Sequence, residues 1–175
     1  MPRRQGPWEL AVRRLARRVI KGTFWYPMAG LLDRLGYTLQ AVQVLVIDPE
    51  RRQVLLLRSD ECRGGWCPVQ GLRDPVHRGG LRFAYSDDPR DDAHRELGEE
   101  ALAKPPPVTH LQTMATCRAG PGGELACTVY VLEVAAADTP LIPATAEGQP
   151  TWVAVDHALA TLPSPTLRTV LEDYR

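Results

Sequence analysis

The stretch D-D-P-R-D-D-A-H-R-E-L-G-E-E-A-L, residues 87–102, is crowded with carboxylates. Pro89 suits the first turn of a helix, and either Asp87 or Asp88 can cap that helix at its N-terminus. The helix has to end before Pro105, because a residue that precedes proline is disfavoured in the helical conformation. The stretch therefore predicts an acidic helix of about three turns.

Three glutamates of this predicted helix, Glu96, Glu99 and Glu100, stand at positions i, i+3 and i+4. Helix geometry brings such side chains to one face at about 5–6 Å, where like charges lower helix stability. One interpretation is a solvated surface, which is the usual meaning of a charge run. The other is a site for a divalent cation, because Mg²⁺ prefers oxygen ligands and would relieve the repulsion. The spacing alone leaves both interpretations open.

The segments around the acidic helix predict a mixture of strands and a few helices. Alternating or β-branched runs predict strands, bounded by turn residues such as Asp48, Pro49 and Gly122. The predicted strands cover residues 37–47, 53–58, 66–71, 108–117, 124–134 and 151–155, and the predicted C-terminal helices cover 156–162 and 164–174. The polar segment 72–86 is expected to be a loop. Strands without regular alternation with helices favour the α+β class.

Composition limits the classes of function. A chain of 175 residues predicts one domain with a short extension. The formal net charge is zero, which argues against a specific nucleic-acid partner. No apolar run reaches the roughly 18 residues that a membrane span needs, and the basic start lacks the apolar segment of a secretory signal. We therefore expect a soluble cytoplasmic protein.

Residues 1–37 are expected to form a basic amphipathic helical extension to a domain at residues 38–175. Trp8, Leu15 and Val19 recur at helical spacing on one face, and arginines occupy the other face. The apolar face can pack on the domain or on a second copy in a homodimer. The alternative is peripheral contact with an anionic membrane, as basic amphipathic helices can make. Packing is the interpretation that we favour, because the helix is short.

The chain has four cysteines, too few for a disulfide scaffold at this length. Cys62 and Cys67 lack a nearby histidine in a zinc-like pattern, so a zinc site is a minor alternative. Cys117 and Cys127 flank a glycine-rich turn and are candidates to face each other across a hairpin. We expect reduced, partly buried thiols, as is usual in the cytosol.

The run R-E-L-G-E-E, Arg95–Glu100, resembles the core of the Nudix box, G-x5-E-x7-R-E-U-x-E-E-x-G-U, of the Nudix (MutT-like) hydrolases. Two flanking runs also resemble that family, namely G-G-W-C-P-V-Q-G at 64–71 and E-G-Q-P-T-W at 147–152. The resemblance covers residues 38–175. The departures are Asp87 in place of the first glutamate of the box, a glycine displaced from the start of the box, and Leu102 and Ala103 near its end.

The resemblance implies a Nudix-type α/β/α sandwich with a mixed sheet. It also implies a Mg²⁺- or Mn²⁺-dependent pyrophosphohydrolase that cleaves a phosphoanhydride in a nucleoside diphosphate linked to another moiety. The metal ligands that it implies are Glu96, Glu99, Glu100 and Glu147, with Arg95 orienting the carboxylates and Asp87 in a supporting role. The catalytic residues implied are Glu99, Glu100, Arg95 and Glu147. The alternative is a catalytically weakened Nudix-like domain that binds nucleotides or regulates a partner.

Overall fold

The structure of the protein is a computed structural model. It describes Leu31 and residues 39–60, 62, 65–73, 75–77, 83–85, 88–119, 125–145 and 147–175. The predicted N-terminal helix and Asp87 lie outside the described residues. In the part of the chain that is described, no helix is long and apolar enough to cross a membrane.

The strands and helices follow the order predicted for the central and C-terminal segments. The strands are β1 (Leu39–Asp48), β2 (Gln53–Arg58), β3 (Trp66–Cys67), β4 (Val69–Leu72), β5 (Pro75–His77), β6 (Phe83–Tyr85), β7 (Gln112–Ala119), β8 (Leu125–Glu133) and β9 (Gln149–Ala154). The helices are α1 (Pro89–Glu100), α2 (Val155–Thr161) and α3 (Pro165–Glu172). Short 3-10 turns cover Val108–His110 and Ala136–Asp138.

Strand β1 is the centre of a mixed sheet, which has seven strands within the described residues. It pairs in parallel with β8 along one edge, and β8 pairs antiparallel with β7. Along its other edge, β1 pairs antiparallel with β4 through its first half and with β2 through its second half. Strand β2 continues the sheet antiparallel to β3 and β9. This arrangement brings the short strand β4 beside the middle of the sheet.

The sheet carries a hydrophobic core on each face because successive side chains of a strand point to opposite sides. In β1, Val42, Val44 and Val46 join the core under α1, whereas Leu45 and Ile47 join the core under α2 and α3. All five side chains are fully buried. Helices therefore cover both faces, and the prediction of a Nudix-type α/β/α sandwich is confirmed.

Helix α1 begins and ends as its sequence predicts. The Asp88 side chain accepts a hydrogen bond of 2.9 Å from the Arg90 N–H, and Pro89 occupies the first turn. The Arg90 guanidinium, followed by that N–H, holds the pKa of Asp88 below its ordinary value. Ala93 and Leu97 are fully buried against the sheet. The helix is thus fixed by its cap and by one apolar stripe.

The predicted loop at 72–86 is in part a hairpin, which corrects the sequence interpretation. Strands β5 and β6 pair antiparallel, with Pro75 opposite Tyr85 and His77 opposite Phe83. They form a two-stranded sheet separate from the main one. Strands of three residues are too short to show the alternation by which a strand is recognised in sequence.

The cysteines divide into two pairs. Cys62 and Cys67 form a disulfide, with their Cα atoms 5.7 Å apart, which overturns the expectation of thiols and the zinc alternative for this pair. The Gly65 N–H donates a hydrogen bond of 2.9 Å to the Cys62 carbonyl, and Gly65 has φ of 78°. Cys117 and Cys127 stand directly opposite each other on β7 and β8, as predicted, and are free thiols. Burial raises the pKa of the Cys127 thiol.

Candidate active site

The site is built where helix α1 crosses strand β4. Gly71 of β4 faces α1, and a β-carbon at this position would overlap the carboxylate of Glu96. The absence of a side chain at Gly71 therefore lets the carboxylate lie against the backbone of the strand. Glu96 is only 7% exposed in this position.

Glu100 lies one helical turn beyond Glu96 and meets the same strand. Its Oε2 atom accepts a hydrogen bond of 3.2 Å from the backbone N–H of Gln70. Glu100 is 4% exposed. Two carboxylates on successive turns are thus buried against the backbone of β4, which is unusual for charged groups unless they are paired or bind a cation.

Arg95 lies among the carboxylates of the helix. Its Nη1 atom is 2.8 Å from Glu96 Oε1 and 3.4 Å from Glu99 Oε2. Its Nη2 atom donates a hydrogen bond of 3.2 Å to the carbonyl of Leu72, at the end of β4. Arg95 therefore ties the helix to the strand and orients at least two of the predicted glutamates.

Glu99 has a different environment from the other two glutamates. Its side chain is 60% exposed, whereas Glu96 and Glu100 are turned toward β4. All three glutamates lie on helix α1, as the sequence predicts. Of the three, Glu96 and Glu100 are buried and Glu99 is exposed to solvent.

Glu147 lies in the segment between β8 and β9, two residues before β9 begins. It is half-buried, and its backbone N–H donates a hydrogen bond of 3.2 Å to the Thr145 hydroxyl. The next residue, Gly148, has φ of 152°, and a β-carbon there would lie 2.7 Å from the Arg58 carbonyl oxygen. A glycine is therefore required after Glu147, and it fixes the entry of the chain into β9 beside β2.

Two residues without a predicted role complete the surroundings of the helix. Arg73 Nε is 3.1 Å from Asp92 Oδ2, and both side chains are 8% exposed. Asp92 stands four residues before Glu96, so the i, i+4 spacing is the signal that could have assigned it to the buried face. Its partner Arg73 lies 19 residues earlier in the chain, where no local pattern marks the pair.

A family model described as the NUDIX domain matches residues 38–174. The chain belongs to the Nudix family. Its predicted enzyme class, a Nudix hydrolase acting on phosphorus-containing acid anhydrides, is confirmed at the level of the family. A search of curated proteins finds no match.

Solved structures show the same Nudix fold. The chain is similar to the Ap4A hydrolase of C. elegans at 18% identity, with a TM-score of 0.53 over 78% of this chain and 94% of that one. It is also similar to the dihydroneopterin triphosphate pyrophosphohydrolase of E. coli at 14% identity, with a TM-score of 0.52 over 76% of this chain and 92% of that one. At these identities the likeness establishes the fold.

Nudix hydrolases generally use divalent metals, and the donor atoms of this site suit such ions. Among the described residues, no group of three or more acidic, histidine or cysteine side chains is placed so that together they could hold a metal ion. Mg²⁺ commonly takes only one or two protein carboxylates and completes its shell with water and substrate phosphates. The buried carboxylates of Glu96, which lies against Gly71, and of Glu100, which accepts from the Gln70 N–H, are of that kind.

Proposed function

We propose that the protein is a Mg²⁺- or Mn²⁺-dependent Nudix pyrophosphohydrolase whose substrate is a nucleoside diphosphate linked to another moiety. The observation that carries the proposal is the pair of buried carboxylates, Glu96 and Glu100, on successive turns of the Nudix-box helix. The free energy of burying two anions is unfavourable unless cations or hydrogen bonds compensate for the lost solvation. Binding of a cation between the two carboxylates would compensate for this unfavourable free energy.

The charges of the chain itself compensate for part of this cost. Arg95 supplies one positive charge to Glu96 and Glu99 together, and β4 supplies the N–H of Gln70 to Glu100. A divalent cation would be attracted to the carboxylates of Glu96, Glu99 and Glu100, and it would in turn attract the phosphates of the substrate.

In the proposal, Glu96, Glu99 and Glu100 hold Mg²⁺ or Mn²⁺, and Glu147 supplies a further carboxylate from the segment before β9. Such an ion, when bound, neutralises charge on a diphosphate and lowers the pKa of bound water. The protein supplies fixed oxygens, because Glu96 lies over Gly71 and Glu100 accepts from Gln70.

The proton of the attacking water needs an acceptor, and the carboxylates of the site are the candidates. Glu99 and Glu100 on the helix and Glu147 on the loop are assigned this role jointly. A carboxylate acts as a general base when it lies within hydrogen-bonding reach of the water. Arg95 does not take the proton, because a guanidinium stays charged at neutral pH; it holds Glu96 and Glu99 in position.

The proposed substrate class agrees with the structural relatives. Their names describe hydrolysis of a dinucleoside polyphosphate, Ap4A, and of dihydroneopterin triphosphate. Both compounds contain phosphoanhydride bonds attached to a nucleoside or a pterin. We extend to this chain only the shared chemistry, cleavage of a phosphoanhydride in a small molecule of the nucleotide type.

The test is product release from a panel of nucleoside triphosphates, ADP-ribose, nucleotide sugars, dinucleoside polyphosphates and coenzyme A, with and without Mg²⁺. Glu100→Gln keeps the shape of the side chain but removes its charge, and it should lower kcat by about 10²–10⁴-fold. The control is Glu172→Gln on α3, an exposed glutamate outside the site. A Glu100→Gln enzyme as active as wild type would refute the assignment.

Absence of turnover across the panel would have a different meaning if the folded protein still bound Mg²⁺. That result would favour the alternative function, a Nudix domain that binds a nucleotide or regulates a partner. Titration with Mn²⁺, followed by electron paramagnetic resonance, separates a metal-binding protein without turnover from one that binds no metal.

A further inference from the structure

The ion pair between Arg73 and Asp92 lies behind the proposed site. Arg73 directly follows strand β4, and Asp92 lies on α1 one turn before Glu96. The two side chains are 3.1 Å apart and each is 8% exposed. The pair therefore joins the end of the strand to the first half of the helix inside the protein.

Stability alone does not explain a buried ion pair. The cost of removing two charges from water often exceeds their mutual attraction, and apolar residues of similar volume are often as good or better. Arg73 is, in addition, held in place by β1, since its Nη1 atom donates to Gln40 Oε1 and its backbone N–H donates 3.0 Å to the Gln40 carbonyl. The guanidinium of Arg73 is therefore fixed in position and can orient the carboxylate of Asp92.

The two oxygens of Asp92 are divided between two arginines. Oδ2 contacts Arg73, and Oδ1 lies 3.7 Å from Arg95 Nη2. That same Nη2 atom donates to the Leu72 carbonyl, while the Nη1 atom of Arg95 faces Glu96 and Glu99. The guanidinium is thus held on one side by Asp92 and Leu72, and it presents its other side to the glutamates.

We propose that Asp92 and Arg73 are positioning residues that fix the guanidinium of Arg95 and, through it, the carboxylate of Glu96. The inference rests on the proposed function of the helix glutamates. Arg73 orients Asp92, Asp92 holds Arg95 from behind, and Arg95 sets the direction of Glu96. Partners of this kind, one layer behind the ligands of a metal, commonly affect both metal affinity and activity.

The first test follows Arg95 itself in the metal-free protein. Heteronuclear NMR of arginine side chains measures rotation about the Nε–Cζ bond, and Arg95→Lys assigns the signal. In wild type the rotation should be slow, and in Asp92→Asn it should be severalfold faster. The matched control is Asp91→Asn, an exposed neighbour on the same helix, which should leave the rotation unchanged. Equal rotation in wild type and Asp92→Asn would overturn the inference.

The second test separates positioning from stability. Arg73→Met combined with Asp92→Leu replaces the pair by apolar side chains, so the folded state should be retained. We expect Mn²⁺ affinity to fall by about 10–100-fold and kcat to fall, with the melting temperature little changed. Wild-type metal affinity in this variant would contradict the inference.

The two tests also distinguish failure of the inference from failure of the proposed function. If wild type hydrolyses nothing in the panel, the proposed activity fails, but the rotation of Arg95 still decides whether Asp92 positions it. If wild type is active and Arg95 rotates equally in both proteins, the activity stands and the inference falls.

Discussion

At the scale of the single residue, Gly71 determines whether the Glu96 carboxylate can lie against β4. We predict that Gly71→Ala lowers metal-dependent hydrolysis by about 10–100-fold, because the added methyl group displaces that carboxylate. The measurement is kcat and KM over a Mg²⁺ titration. Gly98→Ala is the control, because Gly98 lies on the same helix as Glu96 but the nearest neighbour of an added methyl group there is Pro105. Full activity in Gly71→Ala would show that Glu96 does not need this position.

A second residue-scale prediction concerns Asp48, at the end of β1. Its carboxylate accepts hydrogen bonds of 2.8 Å from the Ala136 N–H and 3.0 Å from the Arg51 N–H. These bonds, that of Ala136 first, hold the pKa of Asp48 below its ordinary value of 3.8. The ionised form is therefore favoured more in the folded state than in the unfolded state. Its stabilising contribution is complete above pH 3.8 and is lost as the pH falls through the lowered pKa.

Urea unfolding at a series of acidic pH values tests the predicted direction of this pH dependence of stability. The free energy of unfolding of wild type should fall as Asp48 is protonated, and Asp48→Asn should show a shallower fall and a lower stability at neutral pH. Asp138→Asn, in the adjacent 3-10 turn, serves as the control because Asp138 is exposed. Parallel curves for wild type and Asp48→Asn would contradict the assignment.

Individual residues also show how much of the candidate site can be predicted from the sequence. The i, i+3, i+4 spacing places Glu96, Glu99 and Glu100 correctly, because that relation depends only on helix geometry. The functions of Gly71 and Arg73 are not visible in the same way. Each depends on which residue of α1 lies opposite β4, and that is decided by tertiary packing rather than by local sequence.

At the scale of the element, α1 contains a glycine that its packing does not require. A β-carbon at Gly98 would lie 3.4 Å from Pro105 Cγ, an ordinary contact, so no close approach of another element requires the glycine. We predict that Gly98→Ala raises the free energy of unfolding by about 0.5–1 kcal/mol, because alanine loses less backbone entropy in a helix. Urea unfolding measures the change. Destabilisation would mean that the Pro105 segment cannot accommodate the methyl group.

Elements with a long pattern agree with the prediction, and so do the short strands β3, β4 and β9, whereas β5 and β6 do not. Strands β1 and β8 were found from their β-branched runs, and α1 from its cap and the proline in its first turn. The hairpin of β5 and β6 was missed because three residues are too few for a period to appear. The Cys62–Cys67 disulfide was missed because the spacing of cysteines in the sequence does not show which of them pair.

At the scale of the whole molecule, the order of the elements and the family motif predicted the sandwich, but the sheet order came from the structure. The parallel pairing of β1 with β8 joins Leu39 to Leu125, segments far apart in the chain. Such pairings depend on how the side chains of both strands pack into the two hydrophobic cores, one on each face of the sheet. The antiparallel pairing of β1 with β4 fixes the position of β4 in the sheet, where it meets α1, so the site exists only in the assembled sheet.

The last prediction concerns the response of the whole molecule to metal. A ligand that binds only the folded state stabilises it by about 2.7 kcal/mol at one hundred times its dissociation constant. Mg²⁺ or Mn²⁺ should therefore raise the melting temperature of wild type in a concentration-dependent way. Glu96→Gln combined with Glu100→Gln should abolish that shift, because it removes the two buried charges that we assign to the ion.

The metal-free proteins provide the baseline for this comparison. Glu96→Gln removes the 2.8 Å ion pair with Arg95, so the double variant without metal should melt below the temperature of wild type. The control is Glu133→Gln combined with Glu172→Gln, two exposed glutamates, which should retain the full metal shift. If metal stabilises wild type and the Glu96/Glu100 variant equally, the ion binds elsewhere and the buried carboxylates have another purpose. If stabilisation vanishes only in that variant, Glu96 and Glu100 bind the cation, and binding accounts for their burial.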